Sequence, residues 1–243
     1  MQALVRQLVS FPLRDLPEAT LRRLPLYHRW LKQRSSAGDL AVSCPAIGLA
    51  LGLDPTQVRK DLEATGATGR PRVGYVLSEL IHHLEQFMGF DNAKDAFLVG
   101  AGSLGSALLG YMKFESQGLT IVAAFDEAPE KIGTRIRGKL VLPMDKLGQL
   151  AERMHVHIGI ITVPEEAAQA VADRLVAAGI LAIWNFAPVR LNVPANVIVH
   201  NEDLYVSLAT LSQKLEVVLR RDAQLQRGGQ QGPQHGTHES RTE

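Results

Sequence analysis

Val99-Gly100-Ala101-Gly102-Ser103-Leu104-Gly105 is the stretch around which the rest of the chain is organised. The apolar run Ala96–Val99 leads straight into this Gly-x-Gly-x-x-Gly turn. A helical pattern follows over 103–114, with Leu104, Leu108 and Tyr111/Met112 expected on one packed side. A second apolar run, Thr120–Phe125, ends at Asp126, 21 residues after Gly105. Strand, tight turn, helix, strand and acid each have a physical job. Gly100 permits the sharp turn, Gly102 leaves room for a pyrophosphate, and Gly105 lets the helix lie close to the strand. The helix start offers unpaired N–H groups and a partial positive charge to phosphates. Asp126 stands where an acid accepts hydrogen bonds from an adenosine ribose. A carboxylate there suits a ribose hydroxyl and repels a 2′-phosphate. The reading is NAD(H) over NADP(H), with Lys131 and Arg135 near enough in sequence to bear on it.

Outward from this unit, strands are expected at 96–99, 120–125, 139–142, 156–163, 180–184 and 196–199, with helices at 103–114, 144–153 and 164–178. The alternation predicts an α/β fold with a doubly wound, largely parallel sheet. Thr162-Val163-Pro164 and Asn185-Phe186-Ala187-Pro188 end two of these strands at the carboxyl edge, where ligands bind. They join Gly100, Ala101, Gly102, Ser103, Leu104, Gly105 and Asp126 as candidate cofactor contacts, flanking the nicotinamide half. His155 and His157 share a strand face and read as a polar strand entrance. His82 and His83 are adjacent and point apart. Neither pair reads as a metal site.

The front of the chain has a different character. A helix from Thr20, its expected cap, runs to about Arg34, and Pro25 is expected to kink or restart it. Two short helices follow at helix-turn-helix spacing. Ser43 caps the first, with Pro45 just inside; Ala46, Ile47, Leu49 and Ala50 supply apolar surface, and Gly52 ends it. Asp54 caps the second, which opens with Pro55. Val58 and Leu62 face the core, while Thr56, Gln57, Arg59 and Lys60 remain outside, where this motif enters a major groove. Thr65–Tyr75 reads as a wing with Arg70 and Arg72 at its tip, suited to phosphates or a narrow minor groove. An amphipathic helix, 76–87, then connects to the dinucleotide unit.

The 243 residues leave room for one large or two small domains, and 46% hydrophobic content is ample for a core. There is no run of 18 apolar residues and no signal-peptide core. One cysteine, Cys44, excludes an internal disulfide and suits a cytoplasmic chain. Residues 1–75 hold 11 Lys/Arg against 6 Asp/Glu, a net +5, while 76–243 hold 15 against 19, a net −4. A basic front half points to a polyanionic partner. Asp203 to about Gln226 is a long amphipathic helix, with Leu204, Leu208, Leu211, Leu215 and Val218 as its stripe. After a complete sheet unit, that stripe needs a second subunit. The expected division is an extension (1–16), a winged-helix DNA-binding domain (17–88), a Rossmann domain (89–202), a dimerisation helix (203–226) and a disordered tail (227–243).

Taken together, the chain resembles the Rex family of redox-sensing transcriptional repressors over roughly 17–220. The resemblance is carried by Arg22-Arg23-Leu24-Pro25-Leu26-Tyr27, Val58-Arg59-Lys60-Asp61-Leu62, Val73-Gly74-Tyr75, the glycine turn, Val122–Asp126, Thr162–Pro164, Asn185–Pro194, and Asn201 with Asp203-Leu204. It implies a homodimer with swapped C-terminal helices that binds operator DNA when NAD⁺ dominates and releases it when NADH binds. It also implies a state-dependent network at Arg29, Tyr111 and Asp203, and places the recognition pair at Arg59 and Lys60. The wing departs from the commoner Arg-Gly-Val-Gly-Tyr form. The competing readings are an NAD-dependent oxidoreductase with a basic accessory domain and a ligand-gated adaptor that binds protein. No convincing general acid or base for a dehydrogenase stands out in the sequence.

Overall fold

Hydrophobic periodicity decides most elements, and capping residues set their ends. The computed structural model describes residues 16–90 and 94–229. The expectations for residues 1–15 and for a disordered tail over 230–243 fall outside them. The chain divides into two compact units. One ends at Asp95 and takes in Gly110–Thr120; the other is built from Ala96–Leu109 and the chain from Ile121 on.

The first unit holds helices α1 (Glu18–Ser36), α2 (Cys44–Leu51), α3 (Pro55–Ala64) and α4 (Leu77–Met88). Strands β1 (Ala41–Val42) and β2 (Tyr75–Val76) pair antiparallel beside them. Its core gathers Leu24, Tyr27, Leu31, Ile47, Val58, Leu62 and Leu84, all fully buried. This is a winged helix-turn-helix. Three expectations change. α1 starts at Glu18 on the Pro17 carbonyl, without a Thr20 cap. It also continues through Pro25, because Pro25 and Leu21 both lie on the exposed face, where the carbonyl left without a donor meets water. In α2 only Cys44, Ile47 and Gly48 are buried; Ala46 and Ala50 are exposed, and Leu49 is 88% exposed.

The second unit is a seven-stranded sheet in the order β5-β6-β4-β3-β7-β8-β9. The strands are β3 (Lys94–Val99), β4 (Leu119–Asp126), β5 (Arg135–Ile136), β6 (Lys139–Pro143), β7 (Ile158–Ile161), β8 (Ala182–Asn185) and β9 (Ile198–Asn201). Pairing is parallel between β4 and β6, β3 and β7, β7 and β8, and β8 and β9. β5, absent from the sequence reading, adds antiparallel to β6 at the edge. Phe97 and Phe125 cross edge-on in the core with centroids 4.9 Å apart, a geometry worth about 0.5–1.5 kcal/mol beyond area burial. Three helices accompany the strands: α5 (Ser103–Leu109), α6 (Leu147–Met154) and α7 (Glu165–Ala177). α5 stops five residues short of the expected helix end. It buries Gly105 and Leu109, not the expected stripe: Leu104 is 38% exposed, and Tyr111 and Met112 lie beyond it, exposed. His155 is no strand residue but the left-handed C-cap of α6, at φ 53°.

α8 (Leu204–Gly229) is a 26-residue helix capped by Asp203, and it carries Arg227, Gly228 and Gly229, which were expected in the tail. Leu208, Leu211, Leu215 and Val218 on its stripe are each more than half exposed. Among the described residues no helix is long and apolar enough to cross a membrane.

Candidate functional site

In the sheet unit, the chain reverses its winding between β3 and β7, so the strand ends diverge there and leave a cleft. Its volume is about 320 Å³, and its lining includes Gly100, Gly102, Asp126, Lys131, Thr162 and Val163. Gly100 has φ 102°, and a Cβ on it would stand 2.7 Å from the Thr162 carbonyl oxygen. A Cβ on Gly105 would stand 2.0 Å from the Gly100 carbonyl oxygen, which is the close helix-to-strand approach expected of it. A Cβ on Gly102 would meet nothing within 4 Å, so the space reserved there is open. The Thr162 hydroxyl donates to the carbonyls of Gly100 (2.7 Å) and Val99 (3.1 Å), fastening the two strand ends together.

Asp126 does more than the sequence reading assigned to it. One carboxylate oxygen accepts from the Ala101 N–H (2.8 Å) and the Lys131 ammonium (3.0 Å); the other accepts from the Ala128 N–H (2.9 Å). Burial pushes its pKa up, but the Ala128 and Ala101 N–H groups and the Lys131 charge together hold it below the usual carboxylate range. The acid thus braces the glycine turn as well as facing the cleft.

The second strand-end loop is placed differently. Asn185 is fully buried, and its amide donates to the Ala187 and Val189 carbonyls and to Asn201 Oδ1, while its oxygen accepts from the Ala187 N–H. It fastens the loop and is not part of the cleft lining. Ala187 is buried, Pro188 exposed, and Phe186 packs beside Trp184 at 4.9 Å between ring centroids. Ser103 and Leu104 lie exposed at the start of α5.

In the helical unit, Ser43 Oγ accepts from the Ala46 N–H at 3.3 Å, and Gly52 closes α2 at φ 66°. Asp54 Oδ1 accepts from the Thr56 (2.7 Å) and Gln57 (3.2 Å) N–H groups and so sets the start of α3. These backbone donors lower its pKa. Thr56, Arg59 and Lys60 are exposed as expected, but Gln57 is not free: its amide donates to Asp61 at 2.9 Å. Arg59, Arg70 and Arg72 line a groove of about 650 Å³ between α3 and the wing.

Asp61 is the residue that sequence reasoning passed over. Its side chain is 1% exposed. It accepts from Thr20 Oγ1 (3.0 Å), Arg23 Nε (2.6 Å) and Nη2 (2.8 Å), Tyr27 OH (2.6 Å) and Gln57 Nε2 (2.9 Å). Burial alone would raise its pKa, yet the donors, Arg23 foremost, hold it at about 2. The cluster ties α3 to α1. The signal was present: Asp61 falls in phase with Val58 and Leu62, and a charge on a core face needs partners.

The three residues of the implied network occupy separate settings. Arg29 is exposed on α1, Tyr111 packs edge-on against Phe114 at 4.8 Å, and Asp203 caps α8 through the Tyr205 and Val206 N–H groups.

Comparison with known proteins matches both units. A family model described as "CoA binding domain" covers residues 91–189, and one described as "Putative DNA-binding protein N-terminus" covers 15–63. The redox-sensing transcriptional repressor Rex of Bacteroides fragilis is 44% identical over 200 residues, 82% of this chain and 91% of that protein. Its namesake from Desulforamulus reducens is 44% identical over the same length, covering 95% of that protein. The crystal structure of RSP with beta-NAD+ and operator DNA matches at a TM-score of 0.81 and 34% identity, over 90% of this chain and all of that one. RSP in complex with beta-NADH matches at a TM-score of 0.77 and 36% identity, over 86% of this chain and 99% of that one. A capped helix-turn-helix with a basic wing, a glycine-turn cleft, and this identity along most of the chain have one explanation: the protein belongs to the Rex family of redox-sensing transcriptional repressors.

Proposed function

We propose that this protein represses transcription by binding operator DNA as a homodimer, and that NADH in the glycine-turn cleft releases it. The carrying observation is one chain that holds both a capped recognition helix with exposed Arg59 and Lys60 and a cleft built for a dinucleotide. Relatives solved with NAD⁺ and operator DNA, and with NADH, support the pairing. The dimer forms through α8, which is about 39 Å long at 1.5 Å per residue and exposes its apolar stripe; the helices swap between subunits. One dimer arrangement holds the recognition helices about one DNA turn apart. NADH favours the other, and shifts the balance only by binding it better. Asp203 of one subunit then meets Arg29 and Tyr111 of the other in a state-dependent contact. Such a repressor acts in the cytoplasm, on chromosomal DNA.

The protein is not an enzyme in this reading. The titratable side chains lining the cleft are Asp126, Glu127 and Lys131, and each is in an ion pair: Asp126 with Lys131, and Glu127 with Arg174. The deciding experiment titrates DNA binding at varied NADH/NAD⁺ ratios. Affinity should fall as NADH rises. A flat response, or steady oxidation of NADH with common keto acids, would overturn the reading.

A further inference from the structure

The wing tip seats an arginine where the backbone asks for glycine. Arg70, Pro71, Arg72 and Val73 form a tight turn closed by the Val73 N–H on the Arg70 carbonyl at 3.2 Å. Arg70 and Gly74 then exchange backbone hydrogen bonds of 2.6 and 2.9 Å. Proline at the first central position and φ 65° at the second, Arg72, mark a type II turn, whose second position selects glycine or asparagine. A long L side chain there crowds its Cβ against the backbone. Such a seat persists where the side chain itself is needed.

The two wing arginines differ. Arg70 is tethered, its Nη2 donating to Glu79 Oε1 at 2.7 Å. Arg72 is exposed and has no partner among the described residues. Beside it Val73 is half exposed, an apolar neighbour that suits a groove wall better than a phosphate. Pro71 and the turn bonds fix the backbone that carries Arg72, so little loop ordering opposes binding.

We propose that Arg72 is a specificity-determining residue: the wing delivers its guanidinium into the DNA minor groove and so favours A·T pairs at the outer edge of each half-site. This deepens the repressor reading and rests on it. A narrow A·T minor groove concentrates negative potential and attracts arginine. A G·C pair puts the guanine amino group in the way. Arginine serves better than lysine because guanidinium is more weakly hydrated. Arg70 has the separate task of fixing the wing to α4 through Glu79.

The test uses the full chain without NADH and a duplex it selects from a random-sequence pool. That duplex is made in three versions differing only in the outer pairs: A·T, G·C and inosine·C, the last lacking the guanine amino group. Wild type should bind the A·T and inosine·C forms about tenfold tighter than the G·C form, within the usual penalty for one wrong pair. Arg72→Gly should melt a few degrees higher, and its three affinities should converge on the weakest. Arg72→Lys should keep overall affinity and lose most of the preference. Equal weakening on all three duplexes would assign Arg72 to a phosphate and overturn the proposal, as would unchanged binding by Arg72→Gly. A wild type that selects no duplex would instead bring down the repressor reading.

Discussion

The Asp126 carboxylate and the Lys131 ammonium stand 3.0 Å apart at the glycine-turn cleft, on the same oxygen that takes the Ala101 N–H. An ionised carboxylate has about four acceptor positions, and three are taken, which leaves one for a ribose hydroxyl. Asp126→Ala should weaken NADH binding about tenfold, the scale of one charged hydrogen bond, and narrow the preference over NADPH. Lys131→Ala should widen that preference, because the carboxylate then faces a 2′-phosphate uncompensated. Calorimetry with both nucleotides decides it; equal wild-type affinity for the two would end the role given to Asp126.

Two glycines of the turn separate binding from folding. Gly102→Ala adds a methyl that meets no protein atom within 4 Å, so melting should stay at the wild-type value. NADH affinity should nonetheless fall about ten- to a hundredfold, because the methyl intrudes where the proposed reading puts the pyrophosphate. Gly105→Ala would press its Cβ to 2.0 Å from the Gly100 carbonyl oxygen and should cost about 1–3 kcal/mol of stability. A Gly102→Ala variant with full NADH affinity would move the pyrophosphate elsewhere.

Asp61 makes the helical unit acid-sensitive. Its folded pKa of about 2 lies below the unfolded value of about 3.9. Its stabilisation is therefore complete above about pH 4 and drains away as pH falls towards 2. Asp61→Asn should destabilise the unit by about 3 kcal/mol at neutral pH, since it leaves the Arg23 charge unmatched, and should flatten the acid limb. Circular dichroism from pH 7 to about pH 2 reads both; an unchanged acid limb would show that the carboxylate carries no linkage.

Arg59 and Lys60 lie on the exposed face of α3, which Asp54 caps and which the repressor reading makes the recognition helix. Replacing both by alanine should abolish measurable operator preference and leave NADH binding intact. Each phosphate that is no longer neutralised should lower the salt slope by about one. Wild-type operator affinity in the double variant would remove α3 from the recognition role.

A test of the coupling proposed for Asp203 needs a substitution that spares its cap. Asparagine caps a helix about as well as aspartate, so Asp203→Asn keeps α8 and removes the charge. Asp203→Asn and Arg29→Ala should each reduce the effect of NADH on operator affinity by about 1–3 kcal/mol, the usual size of a coupling energy. If the two share the proposed interaction, the double variant should be no worse than the worse single one. Normal NADH responses in both single variants would exclude this pair as the carrier of the signal.

Local chemistry was legible in the sequence. Gly100, Gly102 and Gly105, the caps Ser43, Asp54 and Gly52, and the alternation of strand and helix were all readable because each depends on a few neighbouring residues. Phase along a helix was legible for Val58 and Leu62, where the facing core is contiguous. What depended on partners distant in sequence was not. Asp61 draws donors from Thr20, Arg23 and Tyr27: its phase with Val58 and Leu62 shows that it needs partners, but not which residues, 34 to 41 positions away, supply them. Asn185 has the composition of a ligand-facing loop residue, and only the packing of β8 beside β9 turns its amide inward to Asn201. Pro25 reads as a break, and only the side of α1 that faces water made it harmless. The sequence by itself determined which elements form and which chemistry they carry, since propensity, capping and periodicity act over one or two turns. The tertiary structure alone decided which polar groups are spent on holding the fold and which stay free to bind, because burial and hydrogen-bond partnership are properties of the assembled chain.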